Sequence, residues 1–584
     1  MDINKTFQLA LKHYQAGNFQ QAQSICREIL NVQPDNADAL HLLGIIYYQL
    51  NDYDSAIQYT QKALQFSPAD ADAYYNLGNA REAKGQLDEA VTCYQKALQL
   101  DPNFAEAYNN LGHCFYGKGQ LDEAINCYQK ALQINPNYPE AHNNLGYALH
   151  DKGQLDESIF RYKKAIELNP NNPGLCNKLG VVLGEKGQFD EAITYFQKAL
   201  QLDPDDATAY YNIGKAYTEK GHVDEAINSY LKSLKLNPDN PIAYNNLGNA
   251  FQEKGQIGEA ITFCQKAIDI SPNFALAHWN LSLALLIYGN YKRGWKEYEW
   301  RLKVEEHEHR NFSQPLWDGS DIKGLTILLY AEQGIGDTIQ FIRYASLVAQ
   351  RSVKVIVECQ KELVQTLQNV EGVDKIIARG EQLPIFDVHC PILSLPLVFD
   401  TTLENIPTKI PYIFIAPMLV KKWKDRIKCY NSKLKIGLAW AGNPKNRRDS
   451  TRSCNLELFS PFAKLDYITF YSLQKGEAAK QAKNPPKGMN LIDYTEDIRD
   501  FSDTAAFIEN LDLIISVDTA VAHLAGALGK PVWTLLPFAP DWRWLLNRDD
   551  SPWYPTMRLF RQPSPGDWKS VINQVLKELQ KKIS

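Results

Sequence analysis

Proline recurs at a constant step of 34 residues through the first half of this chain, at Pro34, Pro68, Pro102, Pro136, Pro170, Pro204, Pro238 and Pro272. A period of that length means one small unit copied along the chain. Gly44, Gly78, Gly112, Gly146, Gly180, Gly214 and Gly248 keep the same step, as do Gly85, Gly119, Gly153, Gly187, Gly221, Gly255 and Gly289. Each unit therefore predicts two short helices. The first glycine admits a closely packed partner, the second breaks the chain between helices, and the proline ends the second helix. Apolar residues at helical spacing, such as Leu77, Tyr94, Ala97 and Leu98, cover faces that one pair cannot bury, so neighbouring units must stack.

The units begin near residues 3, 37, 71, 105, 139, 173, 207 and 241, with a degenerate ninth from 275 to about 308. This pattern resembles the tetratricopeptide repeat, which implies an α-solenoid over 1–308. In the ninth unit Ser282 replaces the packing glycine, Gly294 stands where earlier units mostly have alanine, and Trp279, Tyr291, Trp295, Tyr298 and Trp300 crowd together. Large aromatics suit a terminal repeat that docks on a following domain. Asn76, Asn110, Asn144, Asn212, Asn246 and Asn280 share one position in six units, interrupted by Leu42 and Lys178. An amide can donate to and accept from a passing backbone, so this ladder, expected on the concave face, could grip an extended polypeptide. It is similar to the asparagine ladder of O-GlcNAc transferases. Asparagine is also common here in such repeats generally, where it bonds within the array.

After about residue 309 the period stops, and short apolar runs alternate with amphipathic helices, which argues for parallel α/β units. One unit with its connector spans 309–432, with strands near 325–331 and 353–358. A second spans 433–584, with strands near 435–440, 468–473, 512–517 and 531–536, and a last helix near 569–581. Ligands of such sheets bind beyond the carboxyl ends of the strands. Three loops stand there. Gln333-Gly334-Ile335-Gly336-Asp337-Thr338 permits a tight turn, and Asp337 is either a helix cap or a base for an acceptor hydroxyl. A dinucleotide fingerprint would need a glycine at Ile339, with Glu358 as ribose ligand, so an oxidoreductase is the weaker alternative. Asn443, Lys445, Arg447, Arg448 and Arg452 follow the strand ending at Trp440; they form either a diphosphate site or a solvated basic loop. Ser453 or Asn455 could cap the next helix. Asp518-Thr519-Ala520 ends a strand and opens a small-residue helix suited to phosphate, with His523 one turn in as either a ligand or a core histidine. Other histidines are scarce in this half: His307, His309 and His389.

A chain of 584 residues exceeds what one core supports. The net charge of −6 offers no basic footprint, so nucleic acid is not an expected partner. The start reads as an amphipathic helix rather than a secretory signal, and no apolar run of about 18 residues occurs. A cytoplasmic location is the expectation. The ten cysteines form no Cys-x-x-Cys pair, and Cys93, Cys127 and Cys264 fall in repeated helices as small apolar fillers.

With these residues in view, 309–584 resembles a GT-B glycosyltransferase of the bacterial heptosyltransferase-like group, two Rossmann-like units facing across a cleft. The resemblance implies that Gly336-Asp337 carries the general base, and that Asp518, Thr519 and His523 form the donor-binding turn. Ser551-Pro552-Trp553-Tyr554-Pro555 is similar to that group's late proline-containing loop. Joined to the repeats, the whole resembles bacterial proteins of this architecture, some of which glycosylate flagellin from a nonulosonic acid donor; Tyr330-Ala331-Glu332-Gln333-Gly334, Leu473-Gln474-Lys475-Gly476 and Pro540-Asp541-Trp542-Arg543-Trp544 carry that likeness. It implies an inverting transfer from a nucleotide sugar to Ser or Thr of a protein such as flagellin. Asp337 would be catalytic, with Gly336, Trp440, Asn443, Arg452, Gln474, Lys475, Asp518, Thr519, Ala520 and His523 at the donor. No Asp-x-Asp pair occurs in the second half, so neither a bridging metal nor a further cofactor is expected. Two alternatives stay open: a saccharide or lipid-linked acceptor with the repeats as assembly scaffold, and a non-catalytic scaffold with a degenerate transferase-like half.

Overall fold

A computed structural model describes residues 2–304, 310–427, 434–446 and 449–583. Chain contacts divide the protein into two compact units, 1–238 and 239–584.

The first unit is a solenoid of helix pairs, from Ile3–Gln15 to Val223–Leu236. First helices of successive repeats begin at Ile3, Ala37, Ala71, Ala105, Pro139, Pro173 and Ala207, in step with the period. Asn36, Asp70, Asn172 and Asp206 stand just before four of them, each accepting from a backbone N–H three residues on and so satisfying an otherwise orphaned donor. The packing glycine is required by what faces it: a Cβ at Gly78 would lie 2.6 Å from the Tyr94 ring, and one at Gly180 2.5 Å from Phe196. Those rings are buried against the glycine of their own pair, so each repeat closes locally before it stacks. The second glycine column turns the chain with φ near 75°, as at Gly85 and Gly119, a conformation that costs side-chain-bearing residues dearly.

The second unit begins with two more helix pairs, Pro241–Glu253 with Ile257–Ile270 and Ala275–Ile287 with Tyr291–Tyr298, and a short turn Glu299–Lys303. Eighteen repeat helices are thus present among the described residues of the chain. Tyr291, Trp295 and Tyr298 of the last repeat are buried against the α/β region, where Trp295 meets Trp542 edge-on at 5.2 Å and donates from its indole to the carbonyl of Thr401, while Trp300 stacks on His278 within the repeat. Ser282 turns its hydroxyl onto the carbonyl of Trp279, and a Cβ on Gly294 would lie 2.7 Å from Leu286, so both departures from the repeat pattern serve this packing.

Two wholly parallel sheets follow. The first holds β1 (Thr326–Tyr330), β2 (Lys354–Cys359), β3 (Lys375–Ala378) and β4 (Val388–Pro391) in the order β3-β2-β1-β4. The second holds β5 (Leu434–Ala439), β6 (Ile468–Ser472), β7 (Leu491–Asp493), β8 (Leu513–Val517), β9 (Val532–Leu536) and β10 (Met557–Arg561) in the order β10-β9-β8-β5-β6-β7. Strands β6, β8 and β9 are buried throughout, as parallel strands covered on both faces must be. Strands β3, β4 and β7 are absent from the sequence reading, because three or four residues carry no readable period, and so is β10, whose apolar run is broken by Arg558 and Arg561. The order in which strands are added reverses between β5 and β8, which run parallel, and the crevice at their carboxyl ends is where such sheets take ligands. Among the described residues, no helix is long and apolar enough to cross a membrane, and the nine cysteines are free thiols, eight of them buried.

Candidate active site

The loop after β1 leads into the helix Ile335–Phe341, whose first turn contains Asp337. One carboxylate oxygen of Asp337 accepts the backbone N–H of Gly334 at 2.9 Å, the capping role expected of it. The other oxygen forms an ion pair with Arg543, from the connection between β9 and β10. Gly336 stands against the second sheet: a Cβ there would lie 2.9 Å from the His523 ring and 3.7 Å from the Cα of Ala520. Only glycine lets this helix approach the helix Ala520–Ala527 so closely.

Asp518 and Thr519 follow β8 directly. His523 is buried, with Nε2 3.8 Å from Asp518, Nδ1 3.0 Å from the Tyr554 hydroxyl, and its ring stacked on Trp544. Arg543 donates to Asp541 at 2.7 Å and to Gln340 at 2.8 Å, with its guanidinium 4.3 Å from the Trp542 ring centre. The site is therefore one buried cation between carboxylates contributed by both sheets.

Burial raises the Asp337 carboxyl above the ordinary range even though Arg543 pulls the other way. Burial and then Asp541 push Asp518 up as well. His523 is pushed down to about 3, by burial first and then by the positive charge of Arg543. At neutral pH its imidazole is uncharged, so it can bond a ligand but adds no charge.

The unfolded chain protonates this histidine below about 6.5 while the folded one resists to about 3, so His523 costs stability as pH falls through that window. Asp518, pushed up, acts in the opposite sense above the ordinary carboxylate range. In thermal melts from pH 7 to pH 4, His523→Asn is expected to lose less stability than the parent. An equal loss in both proteins would show that His523 is not held neutral.

Arg543 is the site residue that sequence reading missed. It lies 206 positions from Asp337, and the sequence offered it only within the Pro540-Asp541-Trp542-Arg543-Trp544 likeness, with no role attached.

The other candidates divide. Gln474 accepts from the N–H groups of Trp440 and Ala441 at 2.9 and 2.8 Å, and so shapes the loop after β5. The Trp440 ring lies wholly in the core with Leu438 and Phe459; burial makes it packing, not a donor contact. Lys475, expected at the phosphates, donates instead to the carbonyls of Thr495 and Ile498 at 2.6 and 3.0 Å. Asn443 is exposed and accepts from the Lys445 N–H. Arg452 is half-buried beside Asp449, and its charge reaches both Asp337 and Asp518. Ser453 donates to Asp449 and accepts from Gly442, while Asn455 caps the following turn. Arg447, Arg448, His307 and His309 lie outside the described residues. Glu358 is buried and paired with Arg310 at 2.8 Å, and Ile339 is fully buried, so neither is disposed for a dinucleotide.

The asparagines bond from repeat to repeat. In the first unit Asn76 contacts His41, Asn110 donates to Tyr75 and Asn79, and Asn144 donates to Asn109. Asn212 is half-buried. In the second unit Asn280 donates to Asn245 at 2.8 Å, and Asn246 accepts weakly from Asn245. Asn110 and Asn144 also accept through their side-chain oxygens, from Asn109 and Asn143, so a stitching role within the array is visible.

The family model for the cilia and flagella-associated protein 70 C-terminal domain matches residues 3–212 and 65–267. That for glycosyltransferase family 9 (heptosyltransferase) matches residues 499–541, which hold β8, the Asp518–His523 turn, β9 and Asp541. The chain joins a tetratricopeptide-repeat array to a heptosyltransferase-like region. Protein FlbA of Caulobacter vibrioides is 25% identical over 329 residues, 51% of this chain and 54% of that protein. The chain thus spans about half the length of that curated relative. Among solved structures, YrrB, described as a TPR protein with an unusual peptide-binding site, is 27% identical with a TM-score of 0.29, over 32% of this chain and 95% of that one. MamA is 32% identical with a TM-score of 0.27, over 27% and 94%. In the heptosyltransferase-like region the family match covers the β8 turn and ends at Asp541, two residues before Arg543.

Proposed function

We propose that the second unit is a GT-B glycosyltransferase of two Rossmann-like lobes that moves a sugar from a nucleotide-sugar donor to Ser or Thr of a protein recruited by the repeats. The observation that carries this reading is the contact of Asp337, from the first sheet, with Arg543, beside the Asp518–His523 turn of the second. In sheet two, the strands counted in chain order run 3-2-1-4-5-6 across the sheet, the doubly wound order of nucleotide-binding folds.

Asp337 takes the acceptor hydroxyl proton, for which a carboxyl raised by burial is a better base than an ordinary one. The acceptor oxygen bonds the anomeric carbon as the bond to the donor phosphate breaks, inverting that centre. Arg452 and the N–H groups opening the helix Ala520–Ala527 receive the departing nucleotide diphosphate, with Gly336, Asn443, Thr519 and His523 lining the pocket. Basic side chains and a helix end do here what a metal does in other transferases. Gln474 and Lys475 serve by holding the loops in place. The repeat array, with its asparagine column, holds the acceptor, flagellin or another surface protein, in the cytoplasm.

A panel of nucleotide sugars screened by thermal shift tests the reading. One donor at 100 times its dissociation constant is expected to stabilise the protein by about 2.7 kcal/mol. No shift with any donor, and no turnover, would return the second unit to a scaffold. Transfer to a saccharide but to no protein would reassign the acceptor.

A further inference from the structure

A fully buried charge in the second unit has no part in the chemistry above. Arg301 belongs to the Glu299–Lys303 turn that ends the last repeat, and none of it is exposed. Its Nε and Nη2 donate to the two oxygens of Glu332 at 2.5 and 3.2 Å. Nη1 donates to Glu299 at 2.6 Å and to the carbonyl of Tyr298 at 3.2 Å, and Nη2 also reaches the Ser394 hydroxyl at 2.8 Å. Ser394 in turn donates to the second oxygen of Glu299.

Glu332 opens the loop that leads into the helix of Asp337, and Ser394 lies in the turn after β4, the strand beside β1. One guanidinium from the end of the repeats therefore ties together loops at the carboxyl ends of two adjacent strands. The same repeat also reaches the opposite member of the ion pair. Trp295 and Tyr298 pack edge-on against Trp542, the ring that carries the Arg543 guanidinium on its face. A buried ion pair is poor value as mere glue, because apolar packing fills the same space at lower desolvation cost. What a planar fork supplies is direction: both oxygens of Glu332 are fixed, and with them the start of the loop.

We propose that Arg301 is a positioning residue for the Asp337–Arg543 pair, so that the last repeat is a working part of the active centre. This rests on Asp337 being the base of a transferase. Lysine at 301 keeps the charge but loses the fork, and glutamine at 332 keeps the shape but loses the charge.

In the full chain, with the donor that gives the largest thermal shift, Arg301→Lys and Glu332→Gln are each expected to lower kcat at least about tenfold per folded molecule, with donor KM changed less than about threefold. The acid limb of the pH–rate profile should move, and amide exchange over 333–337 should quicken. A kcat within twofold of the parent in both variants would overturn the proposal, as would a fall that merely tracks the folded fraction. If Arg301→Lys does not fold, Glu332→Gln decides. Absence of turnover in the parent with every donor is a failure of the transferase reading instead; unchanged exchange over 333–337 in both variants then overturns the positioning role on its own.

Discussion

Asp337→Asn is expected to lower kcat for glycosyl transfer by about 10²–10⁴-fold, the span of a lost general base, while fold and donor affinity persist. Asparagine can still accept the Gly334 N–H through its side-chain oxygen, so the helix start stays capped, and Arg543 keeps Asp541 and Gln340. The proton acceptor is lost, together with one of the two carboxylates paired with Arg543, so some stability goes with it while Asp541 keeps the guanidinium paired. Because burial holds the Asp337 carboxyl above the usual range, the parent's activity should rise with pH through that raised value, and this limb should be missing from any residual activity of the variant. Steady-state kinetics across pH, with donor binding followed by thermal shift, measures both. Turnover within tenfold of the parent would remove Asp337 from the role of base.

Arg543→Met carries the largest expected loss of stability, about 3–5 kcal/mol, because it removes one side of a buried ion pair and leaves the other unpaired. Methionine fills much of the volume and can lie on Trp542, so lost packing is a minor part. What remains is Asp337, Asp518 and Asp541 around an uncompensated gap, with the charge of Arg452 still acting on Asp337 and Asp518. Without Arg543 the Asp337 and Asp518 carboxyls rise further above their unfolded values. The folded state then binds more protons than the unfolded chain above about pH 4, so stability falls as pH rises. Denaturant unfolding at pH 5 and pH 8 should show the larger deficit at pH 8. A loss below about 1 kcal/mol at both would mean that the pair is screened by solvent, as surface pairs are.

The repeats and the α/β region differ in how much of them the chain alone reveals. Gly78 faces Tyr94 and Gly180 faces Phe196 within one helix pair, a separation of sixteen residues copied at each period, so pattern and contact coincide. The starts of the helices could be read directly for that reason. The loops at Asp337 and Asp518 were also legible, since each follows a buried strand and carries its own small residues. What they touch was not.

By itself, then, the sequence determined a stack of helix pairs followed by parallel α/β units, because those depend on contacts between near neighbours and on the alternation of apolar runs. Tertiary structure alone decided that Arg543 would be the partner of Asp337, that Lys475 would bind carbonyls, that Trp440 would be core, and that Arg301 would brace Glu332. Each of these joins segments far apart in the chain or turns a side chain to a face that its neighbours do not specify. Burial then sets the charge states, since the same aspartate or histidine titrates differently once water is excluded.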